Sequence, residues 1–167
     1  QARAELENLK EAATTSFTKV RDYIFELRPM MLDDLGLVPT VRRYTEAFRE
    51  KTGLDISMLN TGVERRLEPH QEVVMFRAIQ DLLANVRDHA QATQVKVMID
   101  IGETTARAAV EDNGRGFDPE ILEAEEAEDL TINQMMDKVE RLGGTMEVDT
   151  KPGEGSRITI TLQSTSG

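Results

Sequence analysis

Apolar residues recur through the first 27 positions at Leu6, Leu9, Ala13, Phe17, Val20, Ile24 and Leu27, in steps of three and four with polar residues between. That rhythm predicts a helix with a coiled-coil-like seam, although an ordinary amphipathic helix lying on its own domain carries the same pattern. The helix is already in phase at residue 1, from which we expect the chain to have been cut from something longer. Pro29 ends it, because the residue before a proline is pushed out of the α region. A connector punctuated by Pro and Gly leads into a second helix over roughly Val38 to Lys51, stopped by Gly53. Leu54 to Leu59 alternates like a strand, and Pro69 suits the first position of a long helix running to about Ala92. Gln94 to Ile101 and Thr104 to Glu111 read as consecutive strands around a turn at Gly102-Glu103. A helix from about Ile132 to Leu142 stops at Gly143-Gly144. Thr145 to Thr150 and Arg157 to Leu162 then close a hairpin around Pro152-Gly153-Glu154-Gly155. This order predicts an α+β fold with a mixed sheet covered on one face by helices, preceded by a long N-terminal helix. We divide the chain into an N-terminal helical region (1–29), a connector with one helix (30–53) and a sheet-bearing domain (54–167).

Composition narrows the chemistry. Its 167 residues suffice for a sizeable core with an extension, and there is no Cys to form disulfides or thiolate metal sites. Two histidines, His70 and His89, make a histidine-rich metal centre a poor expectation. A net charge of −11 argues against binding nucleic acid or an anionic membrane through bulk electrostatics. No apolar run approaches the ~20 residues that cross a bilayer, and no secretory signal opens the chain. The expected compartment is the cytoplasm, with the chain as the cytoplasmic portion of a larger or membrane-anchored protein also open.

Three clusters carry candidate chemistry. Asp112-Asn113-Gly114-Arg115-Gly116-Phe117-Asp118 follows a β-patterned run. A carboxylate leaving a strand before two spaced glycines lets backbone approach a flat ligand while Asp112 accepts a hydrogen bond from it. Turns use the same residues, so the pattern alone leaves both readings open. Asp81 and Asn85 lie four apart on one helix face, with His89 a further turn along. An Asn oxygen there can hold hydrated Mg²⁺, and the carboxylate can order an attacking group or take its proton. A solvated helix face has the same spacing. Gly153, Gly155 and Ser156 form the third cluster, for which a plain hairpin turn is an equal account.

Together, in this order and at these separations, the three clusters resemble the ATP-binding domain of sensor histidine kinases. The run Leu27-Arg28-Pro29 followed by Leu32-Asp33-Asp34-Leu35-Gly36-Leu37 is similar to the junction between the second dimerisation helix and the ATP-binding domain in kinases of the nitrate-sensor and degradative-enzyme-sensor type. The resemblance implies a Bergerat-type α/β sandwich binding ATP and Mg²⁺. It implies Asp112 as acceptor of the adenine amine, with Gly114 and Gly116 closing the loop. Asn85 becomes the metal ligand and Asp81 the catalytic carboxylate, where the family commonly has Glu. His89, Gly153, Gly155 and Ser156 complete the nucleotide site, Ser156 standing where Thr is usual. It further implies a homodimer through the N-terminal helix, a response regulator as partner, and an acceptor histidine that is neither His70 nor His89.

The nucleotide lid departs from the family. Where a Gly-Leu-x-Gly-Met run is usual, this chain has Thr131-Ile132-Asn133-Gln134-Met135. Glu120, Glu123, Glu125, Glu126, Glu128 and Asp129 precede it. Side chains at former glycines and an acidic run beside a triphosphate would weaken ATP binding. Two functions therefore stand: the catalytic part of a histidine kinase, or a degenerate ATPase-like domain serving dimerisation and partner binding.

Overall fold

Strands with apolar residues at every second position bury one face and hydrate the other. The computed structural model, which describes residues 30–123 and 131–163, contains five of them. They are β1 (Asp55–Gly62), β2 (Gln94–Ile101), β3 (Thr105–Asp112), β4 (Thr145–Thr150) and β5 (Ser156–Gln163). They form one sheet in the order β1-β2-β3-β5-β4. β1 is parallel to β2, and the other neighbours are antiparallel. The N-terminal helix expected over 1–29 and the acidic stretch 124–130 lie outside the described residues. The described residues from Met31 onward belong to one compact unit.

Register explains the core. Val97, Val110 and Ile158 form one cross-strand row, Ile99, Ala108 and Ile160 the next, and Ile101, Ala106 and Leu162 a third. All nine are buried. On the other face one row alternates in charge, Lys96–Glu111–Arg157–Asp149. Opposite charges side by side keep that row hydrated without repulsion.

The helices are α1 (Met30–Leu35), α2 (Leu37–Thr52), α3 (Pro69–Asn85) and α4 (Thr131–Arg141). α2 packs on β1 and α3, α3 on β3, and α4 on β4. Val41, Phe48, Phe76, Ile79, Leu83 and Val139 fill the layer between helices and sheet. Gly53 ends α2 in the left-handed region at φ 76°, its N–H donating to Arg49 O.

Three local features differ from the sequence expectation. The connector contains the short helix α1, joined to α2 at Gly36. β1 continues three residues past Leu59, because pairing with β2 runs on to Ile101 and Thr61 Oγ1 donates to Asp100 Oδ1 at 3.0 Å. The long helix from Pro69 is α-helical only to Asn85, then widens into a π-helical turn over Val86–Ala90. Gln91 stops it at φ 53°.

Candidate functional site

One row of the sheet is unlike the rest. Ile56, Val95, Asp112, Ser156 and Thr150 stand side by side across all five strands. Its first two members are apolar like the core; the last three are polar. Asp112 is only 8 % exposed although a carboxylate is rarely buried without partners. Burial pushes its pKa above the usual carboxylate value, opposed by backbone hydrogen bonds from Gly114 and Ser156 and reinforced by the neighbouring Glu111 charge. The Gly114 N–H reaches Asp112 Oδ1 at 2.8 Å. An ionised carboxylate has about four acceptor positions, so two backbone donors leave capacity for a ligand.

A cavity of about 360 Å³ lies against this row. Its walls are mostly apolar, from Leu82, Val86, Val110, Phe117, Ile121, Leu122, Ile132 and Ile158. Asn85, His89, Asp112, Arg115 and Ser156 supply the polar groups. An apolar slot of this size with a few convergent polar groups is how small-molecule sites are built.

The loop after β3 is shaped by close approach. A side chain at Gly114 would strike the Ala90 carbonyl at the end of the π turn. Gly116 has φ 60°, and a side chain there would strike the Lys151 carbonyl. The Arg115 N–H bonds Ala90 O at 2.8 Å, tying the loop to the helix end. Asn113 has a definite task. Its Oδ1 accepts from the N–H groups of Thr93 and Gln94 at 2.9 Å each, and its Nδ2 donates to Thr93 Oγ1.

The structure places the other expected site residues as follows. The positions of the long helix and its π turn that line the cavity are Leu82, Asn85, Val86, His89 and Ala90, which cluster on one helix face. Asp81, one position earlier, is exposed and outside the lining. Gly153 and Gly155 also lie outside it. Their turn packs against the Asp112 loop, the Gly153 N–H bonding Arg115 O at 2.5 Å. His70 sits elsewhere, Nε2 3.3 Å from Glu68 Oε2.

Sequence reasoning missed the apolar lip and Thr150. The lip joins Ile121 and Leu122, from a 3-10 turn (Pro119–Glu123), to Ile132 at the start of α4. Asn133 Nδ2 donates to Leu122 O at 3.1 Å, closing its two ends together. Gln134 is exposed and not in the lining. Thr150 bonds both the Phe117 backbone and Ser156. No local periodicity announces either feature, because both depend on residues distant in sequence.

Residues 70–166 match the family described as histidine kinase-, DNA gyrase B-, and HSP90-like ATPase. The chain belongs to this family. Membership brings ATP binding, and the cavity fits it: a buried acceptor at one end of an apolar slot suits an aromatic ring bearing an amine. The chain is 36% identical over 166 residues to the signal transduction histidine-protein kinase/phosphatase DegS of Brevibacillus brevis, covering 99% of this chain and 42% of that protein. To DegS of Bacillus subtilis (strain 168) it is 33% identical over 159 residues, 93% of this chain and 41% of that one. The chain thus spans less than half the length of these relatives. Among solved structures, the blue-light activated histidine kinase of Erythrobacter litoralis EL346 shares the fold. Its histidine kinase domain superimposes with TM-score 0.56 at 18% identity, covering 75% of this chain and 60% of that one. A longer chain of it gives TM-score 0.60, covering 78% and 46%.

Proposed function

We propose that this chain is the catalytic, ATP-binding part of a two-component sensor histidine kinase, taking Mg-ATP and passing the γ-phosphate to a histidine outside this sequence. The observation that carries the reading is Asp112, a buried carboxylate at the edge of an apolar cavity, held by the backbone of a glycine-spaced loop. Asp112 accepts the adenine amine, and the apolar walls exclude water from the ring. His89 and Arg115, the two basic residues in the lining, stand for the phosphate side. Among the described residues no three His, Cys, Asp or Glu side chains group to hold a metal. Mg²⁺ would instead be held by the Asn85 amide oxygen together with phosphates and water, offsetting phosphate charge. Asp81, on the exposed side of α3 beside Leu82, is assigned to ordering the attacking imidazole. Transfer breaks the bond from the γ-phosphorus to its bridging oxygen as the bond to an imidazole nitrogen forms, and ADP leaves. A homodimer through the N-terminal helix, a response regulator as next phosphate acceptor and a cytoplasmic setting go with this reading. Among the described residues no helix is long and apolar enough to cross a membrane.

Thr131 and Gln134, standing where the family's lid has glycines, favour a second reading. In it the domain keeps the fold for dimerisation and partner binding but turns over little or no ATP. Titration with a fluorescent ATP analogue, with and without Mg²⁺ and in competition with GTP, separates the two. The kinase reading expects Mg²⁺-strengthened binding that ATP displaces and GTP does not. Absence of displaceable binding supports the degenerate reading.

A further inference from the structure

Thr150, the last residue of β4, is 5 % exposed. Its hydroxyl accepts from the Phe117 N–H at 3.0 Å and lies 2.8 Å from Ser156 Oγ. The carbonyl oxygens of Phe117 and Gly155 are within reach at 3.2 and 3.3 Å. A hydroxyl has one hydrogen and two lone pairs. The Phe117 N–H occupies one lone pair, and the single proton has three candidate acceptors. Thr150 is not part of the cavity lining, whereas Phe117 and Ser156 both are.

We propose that Thr150 is a positioning residue of the nucleotide site. It holds the cavity wall at Phe117 and fixes which way the Ser156 hydroxyl faces, without touching the nucleotide itself. This rests on the ATP-binding reading above. When Thr150 gives its proton to a carbonyl, Ser156 donates to Thr150 and turns a lone pair to the cavity. When Thr150 donates to Ser156, the serine proton is free for a ligand acceptor. The sense of one buried hydrogen bond thus decides what Ser156 offers beside Asp112, its register neighbour on β3. A threonine serves here because its methyl packs while its hydroxyl bridges three segments: the loop after β3, the Gly155 turn and the start of β5.

The test compares Thr150→Ser, which keeps the hydroxyl, with Thr150→Val, which keeps the shape. Two readouts are followed: ADP affinity, and amide exchange at Phe117 measured without ligand. Thr150→Val should lose about tenfold or more in ADP affinity, and Thr150→Ser should stay within about twofold of the native chain. The Phe117 amide should exchange faster in the valine variant only. In a Ser156→Ala background the valine substitution should cost clearly less, because coupled residues are not additive. Should Thr150→Val not fold, Thr150→Cys, a weak donor and acceptor, takes its place with the same expectations. Native ADP affinity and Phe117 exchange in the valine or cysteine variant would overturn the positioning role while leaving the ATP-binding reading intact. A native chain that binds no ADP would overturn that reading, and the role of Thr150 with it.

Discussion

Arg66 and Glu72 form a two-pronged ion pair, Nη2 to Oε1 at 2.8 Å and Nε to Oε2 at 3.1 Å, with the Glu72 side chain only 3% exposed. Glu72 Oε2 also accepts from the Leu37 N–H at 3.2 Å, and Arg66 Nη2 reaches the carbonyls of Leu32 and Asp33. One fork of charge therefore fixes the corner between α1 and α2 on the first turn of α3. Gly36 turns that corner at φ 88°, and a side chain there would meet Arg66 Nε at 2.7 Å.

Glu72→Ala is expected to cost about 2 kcal/mol, within the range for hydrogen bonds to charged groups. Arg66 is half exposed and can rehydrate, which keeps the loss below that of a fully buried pair. Glu72→Gln retains an acceptor for Leu37 and should cost less. Thermal melts of the two variants check the order, which reverses if the pair is incidental.

Asp112 carries a stability cost that pH reveals. Its folded pKa is raised above the ordinary 3.8, so its contribution is favourable below that value and lost as pH rises through the folded pKa. Asp112→Asn removes the buried charge while an amide oxygen can still accept from Gly114. The variant should therefore melt at or above the native temperature at neutral pH, and the difference should shrink as the solution is acidified toward pH ~4. Melting curves across that range decide it; an asparagine variant that is much less stable at neutral pH would contradict it.

Asn85 is assigned the metal. Asn85→Ala should remove the Mg²⁺-dependent gain in nucleotide affinity and leave metal-free binding nearly unchanged. Equal Mg²⁺ dependence in native and variant proteins would make Asn85 an ordinary cavity-lining residue.

The lid gives a directional expectation. Six carboxylates from Glu120 to Asp129 precede Thr131 and Gln134 in sequence, and any repulsion of a triphosphate by them would be partly screened by salt. ATP binding should weaken less with added salt than phosphate contacts alone would dictate. Thr131→Gly with Gln134→Gly should strengthen ATP binding more than adenosine binding. Low-micromolar native binding of Mg-ATP, with no gain in the double variant, would mean that Thr131 and Gln134 do not hinder the triphosphate.

The strands β2, β3 and β5 were legible because their alternation is local: Val95, Val97, Ile99 and Ile101 spell out one face. So was the helix start at Pro69. The parallel pairing of β1, the last three residues of that strand and the helix α1 were not, since each is set by contacts with distant chain. At the site, a carboxylate at a strand end before spaced glycines is a local signal, and Asp112, Gly116, Asn85, His89 and Ser156 all meet in the lining. The rotation of α3 against the sheet is a packing outcome. Spacing alone could not tell that Leu82, rather than Asp81, faces the cavity. Thr150 read as an ordinary strand threonine because its partners lie on other segments.

On our proposal the cavity beside Asp112 takes the adenine of ATP. Calorimetric titration of the native chain and Asp112→Asn with Mg-ADP addresses it most directly, ADP lacking the γ-phosphate that the lid would repel. An amide can present a donor where the adenine amine needs an acceptor. The variant should bind at least tenfold more weakly, about 1.4 kcal/mol, while remaining folded. Equal affinity in both proteins would take Asp112 out of the site and the adenine out of this cavity.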